Sequence, residues 1–151
     1  MSWILNSDGG ARGNPGPGGA GIVLRRPDGS VVARGGAFLG SDTNNVAEYE
    51  ALLWGMRAAL ALGATELLVR ADSELVIKQL RGEYRVKNEG LKPLFGQAQA
   101  LRRKFSWIEF THVRRAENAD ADALANEAMD GRCLVGDAPE PPGQGSGRLF
   151  E

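Results

Sequence analysis

One cysteine and one histidine are all that this 151-residue chain contains. Cys133 alone can build neither a disulfide framework nor a cysteine-based zinc site. His112 alone rules out paired-histidine metal sites and leaves little for a Ser-His-Asp arrangement. Net charge is missing too: the formal balance is −1, so no global basic field announces a polyanionic partner. Nor is there a long apolar run. The chain opens directly into Trp3-Ile4-Leu5, with no basic stretch ahead of an apolar segment, which predicts a cytoplasmic protein without signal peptide or membrane span. From Gly136 to Arg148 almost nothing apolar remains and Gly and Pro dominate. Residues 133–151 therefore read as a disordered tail or linker, and residues 1–132 as one domain.

What is present is ordinary in bulk and uneven in detail. Hydrophobic content of 42% and charged content of 25% are those of a globular domain. Strand-like runs occupy 3–7, 20–24 and 31–39, the last two joined by the turn residues Arg26-Pro27-Asp28-Gly29. A helix is expected over about 45–62, with Thr43 and Asn44 as caps and Gly63 as its stop. A strand at 66–71, a short helix at 73–80, a helix at 91–104, a strand at 107–112 and a helix from Asn118 to about Met129 complete the order. Hairpins followed by alternating strands and helices imply an α/β fold, a mixed sheet covered on both faces. Basic residues gather at Arg81, Arg85, Lys87 and Lys92, and again at Arg102–Lys104 with Arg114 and Arg115.

Four acids sit where chemistry could use them. Asp8 adjoins the run Gly9-Gly10-Ala11-Arg12-Gly13-Asn14-Pro15-Gly16-Pro17-Gly18-Gly19. Gly16-x-Gly18-x-x-Gly21 formally matches a dinucleotide fingerprint, but a strand follows it where a helix is required. The run is either a wide turn between antiparallel strands or a bared backbone that a polymer can approach. Glu48 shares a helix face with Ala51, Leu52 and Gly55, whereas Glu50 points roughly the other way. Asp72 ends one strand and begins a helix, where it serves either as a cap or as a ligand. Asp120 and Asp122 flank the apolar stripe of the last helix, and periodicity favours Asp122 only modestly. Hard divalent cations want such oxygen ligands, and phosphate-transfer sites commonly cluster them.

These segments together resemble type 1 ribonuclease H. The resemblance is carried by Asp8-Gly9-Gly10 with Asn14-Pro15-Gly16-Pro17-Gly18-Gly19, by Thr43-Asn44-Asn45-Val46-Ala47-Glu48, by Ala71-Asp72-Ser73, and by Asn118-x-x-Ala121-Asp122-x-Leu124-Ala125-Asn126. It spans roughly residues 3–130. It implies a ribonuclease H-like fold with a five-stranded mixed sheet, and hydrolysis of the RNA strand of RNA–DNA hybrids by two-metal catalysis with little sequence preference. Asp8, Glu48, Asp72 and Asp122 become the metal ligands, for Mg2+ or Mn2+, with Asp8 bridging, and Asp120 becomes a bystander. Gly9, Gly10, Asn14, Thr43, Asn44, Glu74 and Asn118 become candidate substrate contacts.

The chain departs from familiar members of that family. It lacks the extra basic helix and handle, so grip on substrate is expected from Arg81, Arg85, Lys87 and Arg102–Lys104. Glu74 stands where an amide is common. The catalytic histidine loop is not evident: His112 aligns by counting back from Asn118, and Arg115 is favoured over it as the basic partner of the acids. Rival readings are a DNA-cutting nuclease of the same superfamily fold and a non-catalytic hybrid-binding module. The resemblance implies the hybrid as substrate partner, the chain is expected to be a monomer, and Leu149-Phe150 suggests a docking peptide for a replication protein, with an inert tail the favoured alternative.

Overall fold

The computed structural model describes residues 1–142. Six strands form one mixed sheet in the order β5-β4-β1-β2-β3-β6. The strands are β1 (Trp3–Ala11), β2 (Gly16–Arg25), β3 (Val31–Asp42), β4 (Glu66–Ala71), β5 (Trp107–His112) and β6 (Leu134–Gly136). The helices are α1 (Asn44–Ala61), α2 (Glu74–Leu80), α3 (Lys92–Arg102) and α4 (Ala119–Gly131). β1 runs parallel to β4, and β4 to β5, while β1, β2, β3 and β6 alternate in direction.

Strands β1 and β2 each reach four residues further into the glycine run than alternation predicts. Gly9, Gly10, Gly18 and Gly19 carry no side chain to show a period of two, yet Gly9↔Ala20, Gly10↔Gly19 and Ala11↔Gly18 are paired in the ladder. Backbone hydrogen bonding, invisible to hydropathy, sets their structure. The wide turn shrinks to residues 12–15, with Arg12 N–H donating to the Pro17 carbonyl at 2.8 Å.

Helix α1 lies across one face of the sheet, with α2 and α3 beside it. Leu5, Ile22, Leu24, Leu52, Met56, Leu67 and Val69 meet there in a single core. Contrary to the helical-phase expectation, Glu50 is buried as well. The helix is enclosed on most sides, so its buried residues run nearly continuously from Ala47 to Ala59.

Helix α4 covers the other face, and main chain approaches main chain. A Cβ on Gly21 would fall 2.0 Å from the Ala121 carbonyl oxygen, on Gly36 2.3 Å from that of Leu124, and on Gly19 2.7 Å from that of Ala125. Real Cβ atoms do not tolerate such contacts, so these three positions admit α4 only as glycine.

The sixth strand corrects the five expected, and with it the boundary placed at residue 133. β6 pairs with β3 through Ala37↔Leu134, Gly36↔Val135 and Gly35↔Gly136. Beyond it, Asp137 Oδ1 accepts from the Arg34 N–H at 3.1 Å, and the buried Trp54 donates its indole N–H to the Pro139 carbonyl at 2.8 Å. Composition hid this because the segment is held by backbone bonds and one distant indole. The Leu149-Phe150 expectation lies outside the described residues. Among those described, no helix is long and apolar enough to cross a membrane.

Candidate metal centre

The parallel pairing of β1 with β4 ends at Ser7↔Ala71, and Asp8 and Asp72 are the next residue on each chain. Asp8 does not end its strand, as the sequence suggested; it continues to pair with Gly21 on β2. Asp72 leaves the sheet, and the cap of α2 falls to Ser73, whose Oγ accepts from the Val76 N–H at 3.3 Å. The capping role that competed for Asp72 is therefore filled by its neighbour, and its carboxylate is free to turn toward Asp8.

Glu48 arrives from α1. Thr43 caps that helix, its Oγ1 accepting from the Val46 N–H at 3.3 Å, and one turn further Glu48 Oε1 accepts the main-chain N–H of Gly9. One oxygen each from Asp8, Glu48 and Asp72 lie within 4.8 Å of one another. Asp122 stands outside that trio, but its side chain reaches Asp8 and helps hold a proton there. Asp120 is exposed on the other flank of α4, paired with Arg25 at 2.7 Å. The structure thus brings Asp8, Glu48, Asp72 and Asp122 together and leaves Asp120 out.

Crowding four carboxylates in a half-sealed site has an electrostatic consequence. Burial first, then the charges of Glu48 and Asp72, push the Asp8 carboxyl up to about 9. Burial likewise pushes Glu48 up to about 8, with the Gly9 N–H pulling in the opposite direction. Without a cation the cluster keeps protons at neutral pH. An all-oxygen donor set with excess negative charge fits a hard divalent cation, which would displace those protons.

The basic partner can be placed as well. Arg115 opens the short 3-10 turn before α4, and its Nε stands 3.6 Å from Asp72 Oδ2 while most of its side chain remains exposed. His112 pairs in register with Ala71. Residues in register share a face, so it points to the opposite side of the sheet from Asp8 and is exposed there.

Several expected substrate contacts form a platform beside the acids. Asn44 Oδ1 accepts from the Ala11 N–H at 2.9 Å, and Asn44 N–H donates to Asn14 Oδ1 at 3.1 Å. Gly9, Gly10, Asn14, Thr43 and Asn44 therefore share one ledge between the glycine turn and the start of α1. Glu74 is exposed and paired with Lys78 at 3.3 Å. Asn118 departs from expectation. It is buried, donating to the Ser7 carbonyl at 2.8 Å and accepting from Asn6 Nδ2 at 3.0 Å, so it is engaged in anchoring α4 to β1. Arg102 is likewise spent, on the Leu80 carbonyl, on Gln99 and over the Phe110 ring, and Arg81 is paired with Glu83.

Two features of the site had no signal in the sequence. A Cβ on Gly9 would fall 2.1 Å from the Ala47 carbonyl oxygen, so glycine here lets α1 dock close enough for Glu48 to reach. Arg12 crosses from the glycine turn to α4, with Nη1 2.6 Å from Asp130 Oδ1 and Nη2 3.1 Å from Asn126 Oδ1.

This arrangement has counterparts among known proteins. A reverse transcriptase-like family profile matches residues 6–128. The "Bifunctional protein Rv2228c" of Mycobacterium tuberculosis is 48% identical over 131 residues, covering 86% of this chain but 36% of that protein. The protein named "Ribonuclease HI" of Halobacterium salinarum is 46% identical over 123 residues, covering 82% of this chain and 62% of its own length. The chain thus spans less than two thirds of either relative. The crystal structure of LC11-RNase H1 in complex with RNA/DNA hybrid superimposes with a TM-score of 0.83 at 40% identity, covering 87% of this chain and 99% of that one. The additional strand at the β3 edge leaves that correspondence intact, and among the described residues the joint between α2 and α3 holds no further helix. With fold, ordered motifs and acidic cluster in agreement, the chain belongs to the type 1 ribonuclease H family, in the subgroup without the basic handle.

Proposed function

We propose that this chain hydrolyses the RNA strand of RNA–DNA hybrids, and does so with Mg2+ held by Asp8, Glu48, Asp72 and Asp122. The observation that carries the proposal is the convergence of three carboxylate oxygens within 4.8 Å beside the ledge of Asn14, Thr43 and Asn44. A related enzyme captured with an RNA/DNA hybrid supports the choice of substrate.

Two divalent cations in this cluster would supply an activated water and charge compensation at the scissile phosphate and leaving 3′ oxygen. The chain's own residues do the rest. Asp8, among the other acids, would be a ligand to such cations, while Glu48 is oriented by the Gly9 N–H. Arg115, at the edge of the cluster, offers a cation where negative charge accumulates during transfer. Gly9, Gly10 and Asn14 present backbone and amide groups to the 2′-hydroxyl side of the RNA strand. Thr43 and Asn44, at the N-terminus of α1, suit a phosphate of the DNA strand. Such contacts address backbone and sugar, so cutting is expected to ignore base sequence.

The test is direct. Labelled RNA–DNA, RNA–RNA and DNA–DNA duplexes are incubated with Mg2+ or with chelator. Cleavage restricted to the RNA strand of the hybrid, abolished by chelator and by Asp8→Asn, supports the proposal. Equal cutting of DNA, or retained cutting in Asp8→Asn, overturns it.

A further inference from the structure

We infer that Arg12 is a positioning residue, fastening the turn that faces the hybrid to the helix that carries Asp122. The inference rests on the functional reading above. The turn 12–15 is held from two sides. Toward α1, Asn44 donates its N–H to Asn14 Oδ1 and accepts from the Ala11 N–H. Toward α4, the Arg12 guanidinium spans Asp130 and Asn126, and Asn126 Nδ2 in turn donates to the Asp122 carbonyl at 3.0 Å. One side chain thus connects the turn bearing Asn14 to the helical segment bearing Asp122.

The geometry suits fastening better than direct capture of a phosphate. The fork is already committed to two acceptors on one helix, one of them a carboxylate, and planar two-point bridging is what guanidinium does and ammonium does not. Helix α4 needs such a fastening. Its N-terminal end is pinned by Asn118, its middle rests main chain on Gly21, and towards its C-terminal end only Met129 packs a long side chain, onto Gly19. Arg12 supplies a fixed point toward the C-terminal end. Both members of the ion pair are well exposed, at 46% and 68% of the side chain, so the pair contributes little to global stability. Its effect belongs in binding, where a loosened turn and a shifted Asp122 would both be felt.

Charge gives the decisive test. Arg12→Met removes a positive charge and Asp130→Ala removes a negative one, so electrostatics alone moves hybrid affinity in opposite directions. A fastening role moves them together. Hybrid dissociation constants are measured with chelator across a salt series, alongside kcat, KM and thermal melting. We expect Arg12→Met, Arg12→Lys and Asp130→Ala each to weaken binding by about fivefold, with melting temperature and salt slope unchanged. The double variant Arg12→Met/Asp130→Ala should be no weaker than either single one. Tighter or unchanged binding in Asp130→Ala, with a salt slope reduced by about one in Arg12→Met, would make Arg12 a phosphate contact and overturn the inference. So would wild-type behaviour in all variants, or additive losses in the double one. Failure of the wild-type chain to bind or cut hybrid at all would instead sink the functional reading beneath it.

Discussion

Gly9 and Glu48 are joined by a hydrogen bond from main chain to side chain, in a space that only a glycine permits. The Gly9 N–H donates to Glu48 Oε1, and the space where its side chain would stand is filled by the Ala47 carbonyl, one residue before the acid it orients. A methyl group there must push α1 away from β1. Gly9→Ala is therefore expected to destabilise the fold by about 1–3 kcal/mol, as overpacking does. It should also weaken Mg2+ binding, because Glu48 loses both its distance and its donor. Urea unfolding and calorimetric Mg2+ titration measure the two effects; an unchanged Mg2+ affinity would mean that Glu48 does not depend on this contact.

The acidic cluster sets a pH dependence whose sign follows from the raised groups. Asp8 and Glu48 hold protons in the folded state up to about 9 and 8, against ordinary values of 3.8 and 4.5. Their contribution is fully present below the unfolded values and is lost as pH rises through the folded ones. Metal-free protein should thus lose stability progressively from about pH 5 to pH 9. Asp8→Asn should flatten that profile and stabilise the metal-free fold by a few kcal/mol at pH 8. Saturating Mg2+ should restore wild-type stability at high pH. Denaturation midpoints across pH, with chelator and with Mg2+, test all three; stability rising toward pH 9 in chelator would contradict the crowding of the carboxylates.

Arg115 and His112 should separate cleanly. Loss of the guanidinium beside Asp72 is expected to lower kcat by about a hundredfold to a thousandfold with KM little altered, the range seen when a single charge-stabilising donor is removed. His112→Ala, on the other face of the sheet, should leave kcat within about twofold. Steady-state cleavage of a hybrid measures both, and the reverse ranking would return the role to histidine.

The segment after α4 should matter for stability and not for chemistry. Removing residues 134–151 strips β6 from the β3 edge and the Pro139 carbonyl from Trp54. The expected loss is about 1–3 kcal/mol, from one buried hydrogen bond and the cover over an indole. Indole emission should shift to the red while kcat for hybrid cleavage stays at the wild-type level. A fall in kcat with intact stability would connect this edge to the active centre.

Much of the architecture was legible because apolar periodicity and turn residues were regular. The hairpin at Arg26–Gly29, the helix Asn44–Ala61 and the strands β4 and β5 lie where the pattern placed them. Legibility ended where structure is made by groups that hydropathy does not count. Glycines continue β1 and β2 through ladder bonds alone. Glu48 was inward by phase, yet phase misjudged Glu50, since α1 is enclosed on nearly all sides. Asp72 could be released from capping only once Ser73 was seen to do it, whereas Asp120 was set aside by the motif alone, helical phase scarcely separating it from Asp122; the structure pairs it with Arg25. Asn118 read as a ligand contact because motif position does not report burial. Its network with Asn6 and Ser7 joins residues more than a hundred positions apart, beyond the reach of any local pattern.

Main-chain carbonyls of helix α4 lie directly over Gly19, Gly21 and Gly36, and this has a consequence for how the molecule tolerates change. A complete substitution scan scored by hybrid cleavage would show these three positions as intolerant as the acids themselves, though none of them reaches the cluster. Such a scan would be recording clearance. It would also predict where relief can arise: at Gly19 the Met129 side chain is one of the obstacles, so trimming it gives a partial suppressor, whereas at Gly21 and Gly36 the nearest obstacle is main chain and no side-chain change gives relief.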